Sequence, residues 1–192
     1  MLALAGAAWA LLFAWPFVDG GWVPLLRWVQ RRLAPSRVIW DRPGRAPYLT
    51  RSYFWSRPKT DDGFPAFDET GQPRPGIVWR QGPIALHLHE IHQSDTEQEL
   101  HSHPWRWAVS LILSGGYVEE RRDNRTGTVR VRRVRPGQLV FLRAGDYHRL
   151  DLIGRPCWSL FLAGPRTTTW WFWNRETGAK QEWREFIASK RV

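Results

Sequence analysis

The chain has 192 residues, of which 43% are hydrophobic and 24% are charged. This composition excludes a disordered or fibrous protein, and the length allows one domain with its own core plus a short appendage. The single cysteine, Cys157, excludes a disulfide within the chain, while a net charge of +10 and fourteen tryptophans make nucleic acid the first partner class to consider.

The positive charge is concentrated in two parts of the sequence. Residues 21–60 contain nine basic side chains against Asp41 alone, which gives +8, and residues 119–135 form an Arg-rich segment. The tryptophans lie largely in the apolar N-terminus and in strand-like runs, where packing accounts for them. We therefore expect that nucleic acid is not a partner.

The N-terminal segment has the pattern of a membrane anchor. Residues 1–18 contain no charged side chain and come close to the about 20 residues that span a bilayer as a helix. Residues 22–33 follow with apolar side chains at 22, 25, 26, 29 and 33 and arginines beside them, as in a helix at a membrane surface. Basic residues behind an apolar run predict that the rest lies on the cytoplasmic side, anchored to the inner membrane. Two alternatives remain: a buried helical hairpin packed on the domain, or a true start further downstream.

The remaining sequence predicts an all-β domain. Residues 34–83 are rich in Pro and Gly, so we expect an extended region, with short strands at 48–55 and 77–80, that packs on the rest. Short strand-like runs separated by turn signals then predict an antiparallel sandwich or barrel, at 84–92, 107–113, 116–121, 128–135, 138–142, 147–153, 158–163 and 168–173. A helix is predicted at 180–188. The chain thus divides into residues 1–33, 34–83 and 84–192.

The Arg-rich hairpin at 119–135 alternates valines with arginines, so one of its faces is expected to be buried and the other solvated. We interpret it as a hairpin with cross-strand Glu–Arg pairs. A phosphate-binding strip is the alternative, but exposed aromatic residues do not interleave with the arginines here.

Five of the six histidines fall within residues 87–103, and the sixth is His148. His101 and His103 are two residues apart, so on a strand both rings point to one side. His148 alternates with Leu150 and Leu152, which places its ring toward the core. Three neutral imidazoles about 2.0–2.1 Å from one divalent ion would satisfy all three buried rings. A metal-free core with hydrogen-bonded histidines is the alternative.

The spacing of these histidines resembles the two characteristic motifs of the cupin superfamily. His101, His103 and Gly115 match the first motif, and Gly137, Gly145 and His148 match the second. Residues 86–90, 100–105, 110–117 and 158–165 also resemble small single-domain cupins of bacterial and phage genomes, a group without an assigned reaction. The resemblance implies an antiparallel double-stranded β-helix, the cupin jelly roll, with an N-terminal helical segment and a short C-terminal helix.

The sequence departs from the cupin motifs at four positions. Asp95 replaces the first glycine, Arg143 the proline and Leu152 the asparagine, and the metal-binding glutamate is missing because Trp107 or Ala108 stands in its place. The site is therefore expected to consist of His101, His103 and His148 alone. Three-histidine iron sites occur in thiol-dioxygenase-type cupins, so the resemblance implies Fe(II) first, with Zn, Ni or Mn as alternatives.

Two functions follow from the resemblance. The first is a metal-dependent oxygenase on a small molecule, since a three-histidine site leaves room for a bidentate anionic substrate and dioxygen. The second is a non-catalytic cupin that acts as a binding or structural module at a membrane or in a phage-related assembly. A sugar-nucleotide epimerase-type cupin without metal is a weaker third option. Cupins commonly dimerise, so a second copy of the chain is a candidate partner.

Several other side chains are candidates for supporting roles. His89 is a candidate fourth ligand or partner of a ligand, whereas His87 and His92 fall outside the motifs and are expected to be structural. Tyr117 and Tyr147 would be proton donors only if they line the cavity. Arg143 either meets a substrate carboxylate or occupies a turn, and Cys157 is expected to be a packed residue.

Overall fold

The structure is a computed structural model that describes residues 21, 23–33, 36–40, 46–55, 59–60, 79–80, 82–154 and 156–189. The predicted anchor at 1–18 lies outside the described residues. In chain order the elements are α1 (Val23–Arg32), β1 (Ser36–Trp40), β2 (Pro47–Tyr53), β3 (Lys59–Thr60), β4 (Trp79–Arg80), β5 (Ala85–Ile91), β6 (Leu100–His101), β7 (Trp107–Ser114), β8 (Tyr117–Arg122), β9 (Val129–Val134), β10 (Leu139–Arg143), β11 (His148–Leu152), β12 (Cys157–Ala163), β13 (Trp171–Trp173), β14 (Lys180–Glu182) and α2 (Trp183–Ser189).

The strands form two six-stranded antiparallel sheets. Sheet one has the order β1-β2-β5-β12-β7-β10, and sheet two has the order β14-β13-β6-β11-β8-β9. Strands β5 to β12 contribute four strands to each sheet, in the orders β5-β12-β7-β10 and β6-β11-β8-β9. This connectivity is that of a jelly roll. The predicted fold, an antiparallel jelly roll with an N-terminal helix and a short C-terminal helix, is confirmed.

The core lies between the two sheets and is formed by the alternate side chains that each strand points inward. In β7 every second side chain is buried, from Ala108 to Ser114. Ala108 and Ile112 of sheet one belong to the same buried cluster as Tyr117 and Leu150 of sheet two. Period-two burial is expected where one face of each sheet is covered by the other.

Four strands, β1, β3, β6 and β14, arise where the sequence patterns do not predict them. β1 pairs with β2 at the edge of sheet one, and β6 is only two residues long. β14 occupies residues 180–182, which were expected to begin the C-terminal helix. The helix begins later because Glu182 Oε2 accepts a hydrogen bond from the backbone N–H of Arg184 at 2.8 Å, which caps the first turn.

Helix α1 packs on the outer face of sheet one. Leu26 is buried in a cluster with Leu88 and Trp158 of the sheet, and Gln30 Nε2 donates to Glu90 Oε2 at 3.1 Å. Leu25 and Trp28 point away and are 45% and 50% exposed. The helix predicted at 22–33 therefore uses part of its apolar stripe to cover the domain. Within the described residues, no helix is long and apolar enough to cross a membrane.

Gly115, the last glycine of the first motif, is required by close packing in the β7–β8 turn. Its φ is 73°, and a Cβ atom there would lie 2.5 Å from the carbonyl oxygen of Pro156. We expect Gly115→Ala to lower the free energy of unfolding by about 2–4 kcal/mol, because it combines a left-handed backbone with overpacking. Denaturant unfolding measures this loss.

Gly137 provides the matched control for that substitution. Its φ is 84°, but a Cβ atom there would meet nothing within 4 Å. Gly137→Ala should therefore cost only the backbone strain of about 1–2 kcal/mol. Equal losses for the two variants would contradict the role assigned to the Pro156 contact.

Candidate metal centre

The three predicted ligands come together on sheet two. His101 ends β6 and pairs in register with His148, the first residue of β11, while His103 lies two residues beyond β6. Their ligand nitrogens all lie within 4.8 Å of one another. The ring of His148 lies 4.9 Å from the rings of both His101 and His103, measured between centroids. The antiparallel β6–β11 pairing thus joins two motifs that are distant in sequence.

The loop before β6 is fastened to β11, which positions His101. The Asp95 carboxylate accepts hydrogen bonds from the hydroxyl of Tyr48 at 2.6 Å and from the backbone N–H of Leu150 at 2.7 Å. The backbone N–H of Asp95 in turn donates to the carbonyl of Leu150 at 2.9 Å. Asp95 stands where the cupin motif has glycine, and this departure supplies a carboxylate that joins the loop to both sheets.

Glu119 orients the ring of His148 through a contact with Nδ1. Its Oε1 lies 2.9 Å from His148 Nδ1, and the side chain of Glu119 is fully buried. Burial acts to raise the pKa of Glu119, but the hydrogen bond from His148 and the nearby Arg121 outweigh it and hold the pKa at about 2. The ionised carboxylate therefore accepts the Nδ1 proton, and Nε2 of His148 faces Nε2 of His103 at 2.7 Å.

His103 is held in the neutral form that a metal ligand needs. Burial, followed by the neighbouring His148 and His101, lowers the pKa of His103 well below its usual value. His103 Nε2 lies 2.7 Å from His148 Nε2, and the buried Nδ1 atom of His103 has no hydrogen-bond partner among the described residues.

The donor set fits a small transition-metal ion. Without a cation, one of the two Nε2 atoms must donate a proton across the 2.7 Å contact, and in either case the buried Nδ1 of His103 has no hydrogen-bond partner among the described residues. An ion between the rings would instead accept both Nε2 lone pairs. Nitrogen ligands on one such ion lie about 3 Å apart, and the three ligand nitrogens here lie within 4.8 Å of one another.

No carboxylate replaces the missing motif glutamate. Ala108, one of the two residues that align with it, is 1% exposed and belongs to the apolar core. Among the described residues, the group that could hold a metal consists of the three histidines.

A cavity of about 430 Å³ lies beside the histidines, between the two sheets. His101 and His103 reach its wall, together with Arg37 and Arg51 from sheet one. The remaining described lining residues are mainly aromatic, apolar and acidic: Ile39, Trp40, Tyr48, Leu49, Asp95, Thr96, Glu97, Glu99, Trp170, Phe172 and Trp183. The cavity therefore offers a small molecule both charged and apolar walls next to the candidate ligands.

The other histidines lie outside the candidate ligand group. His89 is on sheet one, where its Nε2 accepts a hydrogen bond from Arg51 Nε at 3.0 Å, so His89 is a partner of Arg51. His87 packs against Tyr53 and Phe161 in the core. His92 Nε2 lies 2.8 Å from the hydroxyl of Thr50 at the end of β5.

The remaining sequence candidates are not at the cavity wall that the structure describes. Tyr117 is buried in the apolar core, and Tyr147 packs beneath Lys180. Arg143 is exposed and is the last residue of β10, immediately before a turn. Cys157 is fully buried, and burial raises the pKa of its thiol to about 12, as expected of a packed residue.

Glu119 and Arg51 are site residues that the sequence patterns do not predict. Glu119 was interpreted as part of a solvated hairpin, and its cross-strand pair with Arg132 is present at 2.6 Å. Glu119 lies two residues after Tyr117 on β8, so the strand alternation places both side chains on the inner face, and this pattern could have indicated that Glu119 is buried. Arg51 lay in the extended region, and only its register opposite His89 reveals its inward position.

Comparison with known proteins gives likenesses of fold only. No protein-family model and no curated protein matches the sequence. Solved structures similar to this chain include recombinant oxalate oxidase in complex with glycolate, which is 12% identical over 46% of this chain and 45% of that chain, with a TM-score of 0.38. Oxalate decarboxylase from Bacillus subtilis at pH 4.6 is 14% identical over 55% and 25% of the two chains, with a TM-score of 0.40. Fe(II)-HppE is 9% identical over 69% and 57%, with a TM-score of 0.42.

The matched part of this chain spans between a quarter and a little over half of the length of these proteins. Another structure of the Bacillus subtilis decarboxylase is described with Mn(II) centres. Because likenesses this distant do not extend to function, the fold of this chain is assigned from its own strand order.

Proposed function

We propose that this jelly roll, which has the strand order of a cupin, binds one divalent transition-metal ion, because three histidines converge between its sheets. His101, His103 and His148 are the proposed ligands, and Fe(II) is the favoured metal, with Zn, Ni or Mn as alternatives. The proposed activity is that of a metal-dependent oxygenase on a small molecule that enters the cavity.

The convergence of the ligand nitrogens, with His148 oriented by the buried Glu119, carries this proposal. A carboxylate that accepts the second ring proton of a histidine fixes its tautomer and is the usual support of a metal ligand. Burial keeps His103 neutral, so its ring is available at ordinary pH. When bound, the metal would supply a Lewis acid and, for iron, redox chemistry with dioxygen.

The protein's own residues would bind and orient the substrate. The cavity reaches His101 and His103, and its tryptophans and other apolar groups would shield the apolar part of a bound molecule from water. Tyr48 donates its hydroxyl proton to Asp95, and burial raises the pKa of Tyr48 well above its usual value, so this hydroxyl remains protonated beside the cavity.

Elemental analysis of protein purified without a chelating tag tests the proposal. We expect about one ion per chain after reconstitution with Fe(II) under anaerobic conditions. Only trace metal, unchanged by reconstitution, would refute it. Oxygen uptake by the loaded protein in the presence of small organic acids then tests the oxygenase activity separately.

The alternative is a non-catalytic cupin at the membrane, and α1 provides the observation that favours a membrane contact. Leu25 and Trp28 are exposed next to Arg27, Arg31 and Arg32, with the Arg32 guanidinium 4.9 Å from the Trp28 ring. Such a surface suits the headgroup region of an anionic bilayer. In this proposal residues 1–33 hold the domain on the cytoplasmic side of the inner membrane.

Truncation before α1 tests the anchor without disturbing the domain. Because α1 covers Leu88 and Trp158, removal of residues 1–20 retains this packing, whereas a longer truncation exposes it. We expect the full chain to sediment with membranes and the chain from Gly21 onward to move largely to the soluble fraction. Identical fractionation of the two proteins would contradict the anchor.

A further inference from the structure

Two arginines and a histidine form a row across the inner face of sheet one. Arg51 on β2 pairs in register with Arg37 on β1 and with His89 on β5. Residues paired across antiparallel strands point to the same face, and both arginines line the cavity. Burial and then the neighbouring Arg51 lower the pKa of Arg37 to about 10, which is the effect of two close cations.

Arg51 is buried without a described counter-ion. It is 6% exposed, and its Nε donates to the neutral acceptor His89. Among the residues that the structure describes, no carboxylate lies within the 4.0 Å of an ion pair with Arg51. A buried charge that is not neutralised costs several kcal/mol, so a cation in this position is expected to meet an anion when the protein works.

Arg51 lies close to the candidate metal ligands. Its guanidinium carbon is 5.3 Å from the centre of the Trp105 ring, and that ring stacks on His103 with centroids 5.6 Å apart. Arg51 is also among the groups that lower the pKa of His103. A small molecule in the cavity can therefore contact Arg51 and the histidines at the same time.

We infer that the cavity binds a small organic acid, whose oxyanion head pairs with Arg51 while its apolar body lies against Trp40, Trp170 and Phe172. The planar guanidinium forms paired hydrogen bonds with either a carboxylate or a phosphate group. The inference rests on the proposed function only in that it places the acid beside the proposed metal.

The acidic residues of the cavity do not remove the need for this anion. Asp95, Glu97 and Glu99 come from the loop between β5 and β6 rather than from the row on sheet one. Asp95 is engaged by Tyr48 and Leu150. Burial lowers the pKa of Arg51, and the groups that act against this effect are Tyr53 and Tyr48 rather than a carboxylate. These acids make the cavity bipolar, so an acid is expected to bind in one orientation.

Calorimetric titration of the metal-free full-length protein with matched probes tests the inference. The probes are phenylacetate, phenylphosphonate and the uncharged phenylacetamide, in low-salt buffer without phosphate. We expect at least one anion to bind about 10- to 100-fold more tightly than the amide, as charged hydrogen bonds predict. The stronger of the two anions identifies the head group as carboxylate or phosphate.

Three substitutions test whether Arg51 causes the preference for the anionic probe over the amide. Arg51→Gln should abolish the preference for the anion and Arg51→Lys should retain part of it, whereas Arg143→Gln, at an exposed position, should leave it unchanged. Equal affinity of the wild-type protein for all three probes would overturn the inference, and so would an unchanged preference in a folded Arg51→Gln protein. Because the titration needs no metal, anion binding by a protein that fails to bind metal would refute the proposed function alone.

Discussion

Replacement of any one of the three histidines by alanine is expected to remove the metal. In His101→Ala, His103→Ala or His148→Ala, two imidazoles remain, and no described carboxylate is placed to substitute for the third. Two ligands hold a divalent ion far more weakly than three, so bound metal should fall from about one ion per chain to less than a tenth of that. Elemental analysis after exhaustive dialysis measures this change.

His92→Ala provides the control for the three ligand variants. His92 is bonded to Thr50 at the end of β5 and does not belong to the ligand group, so its loss should leave metal content unchanged. If the ligand variants remain folded and retain full occupancy, these histidines do not hold the metal and the proposed site is wrong.

Replacement of Glu119 by alanine is expected to affect both stability and metal affinity. The substitution leaves His148 Nδ1 buried without its acceptor and releases the partners Arg121 and Arg132, which bond the same carboxylate at 2.6 Å. Removal of one member of a buried charged network costs about 3–5 kcal/mol. Because both arginines reach solvent, we expect about 2–4 kcal/mol here.

Glu119→Ala should also lower the metal affinity by about 10- to 100-fold, because His148 loses the group that fixes its ring orientation and tautomer. Glu119→Gln should fall less, since the amide oxygen still accepts the Nδ1 proton. Denaturant unfolding and competition with a coloured chelator measure the two effects. Glu119→Gln with the same losses as Glu119→Ala would show that charge, rather than orientation, is the contribution of this residue.

The neighbouring Glu120 supplies the matched control. It follows Glu119 on β8 and faces the opposite side of the sheet, where it pairs with Arg149 and Arg175. These pairs are partly exposed, so Glu120→Ala should cost about 1 kcal/mol, less than Glu119→Ala, and should leave metal affinity unchanged. Comparable effects at both positions would indicate that strand β8 tolerates no substitution, and the role assigned to Glu119 would be withdrawn.

The sequence was most informative where short-range patterns determine structure. Alternating apolar residues located most strands of the jelly roll, because the period of two reports directly which side of a strand is covered. The short strands β6 and β14 were not predicted, because two or three residues show no hydrophobic period and their conformation depends on neighbouring strands of the sheet. The helical stripe of residues 22–33 was visible, but the surface it covers was not.

By itself, the sequence predicted an antiparallel sandwich or barrel and singled out His101, His103 and His148, since strand alternation and histidine spacing are local properties. The jelly roll followed from the resemblance of that spacing to the cupin motifs. Only the tertiary structure identified Glu119 as the support of His148 and Arg51 as a cation at the cavity. Both residues owe their roles to sheet register and burial, which bring distant strands together. A basic composition that first pointed to nucleic acid thus includes a buried arginine, whose charge faces inward toward a small cavity.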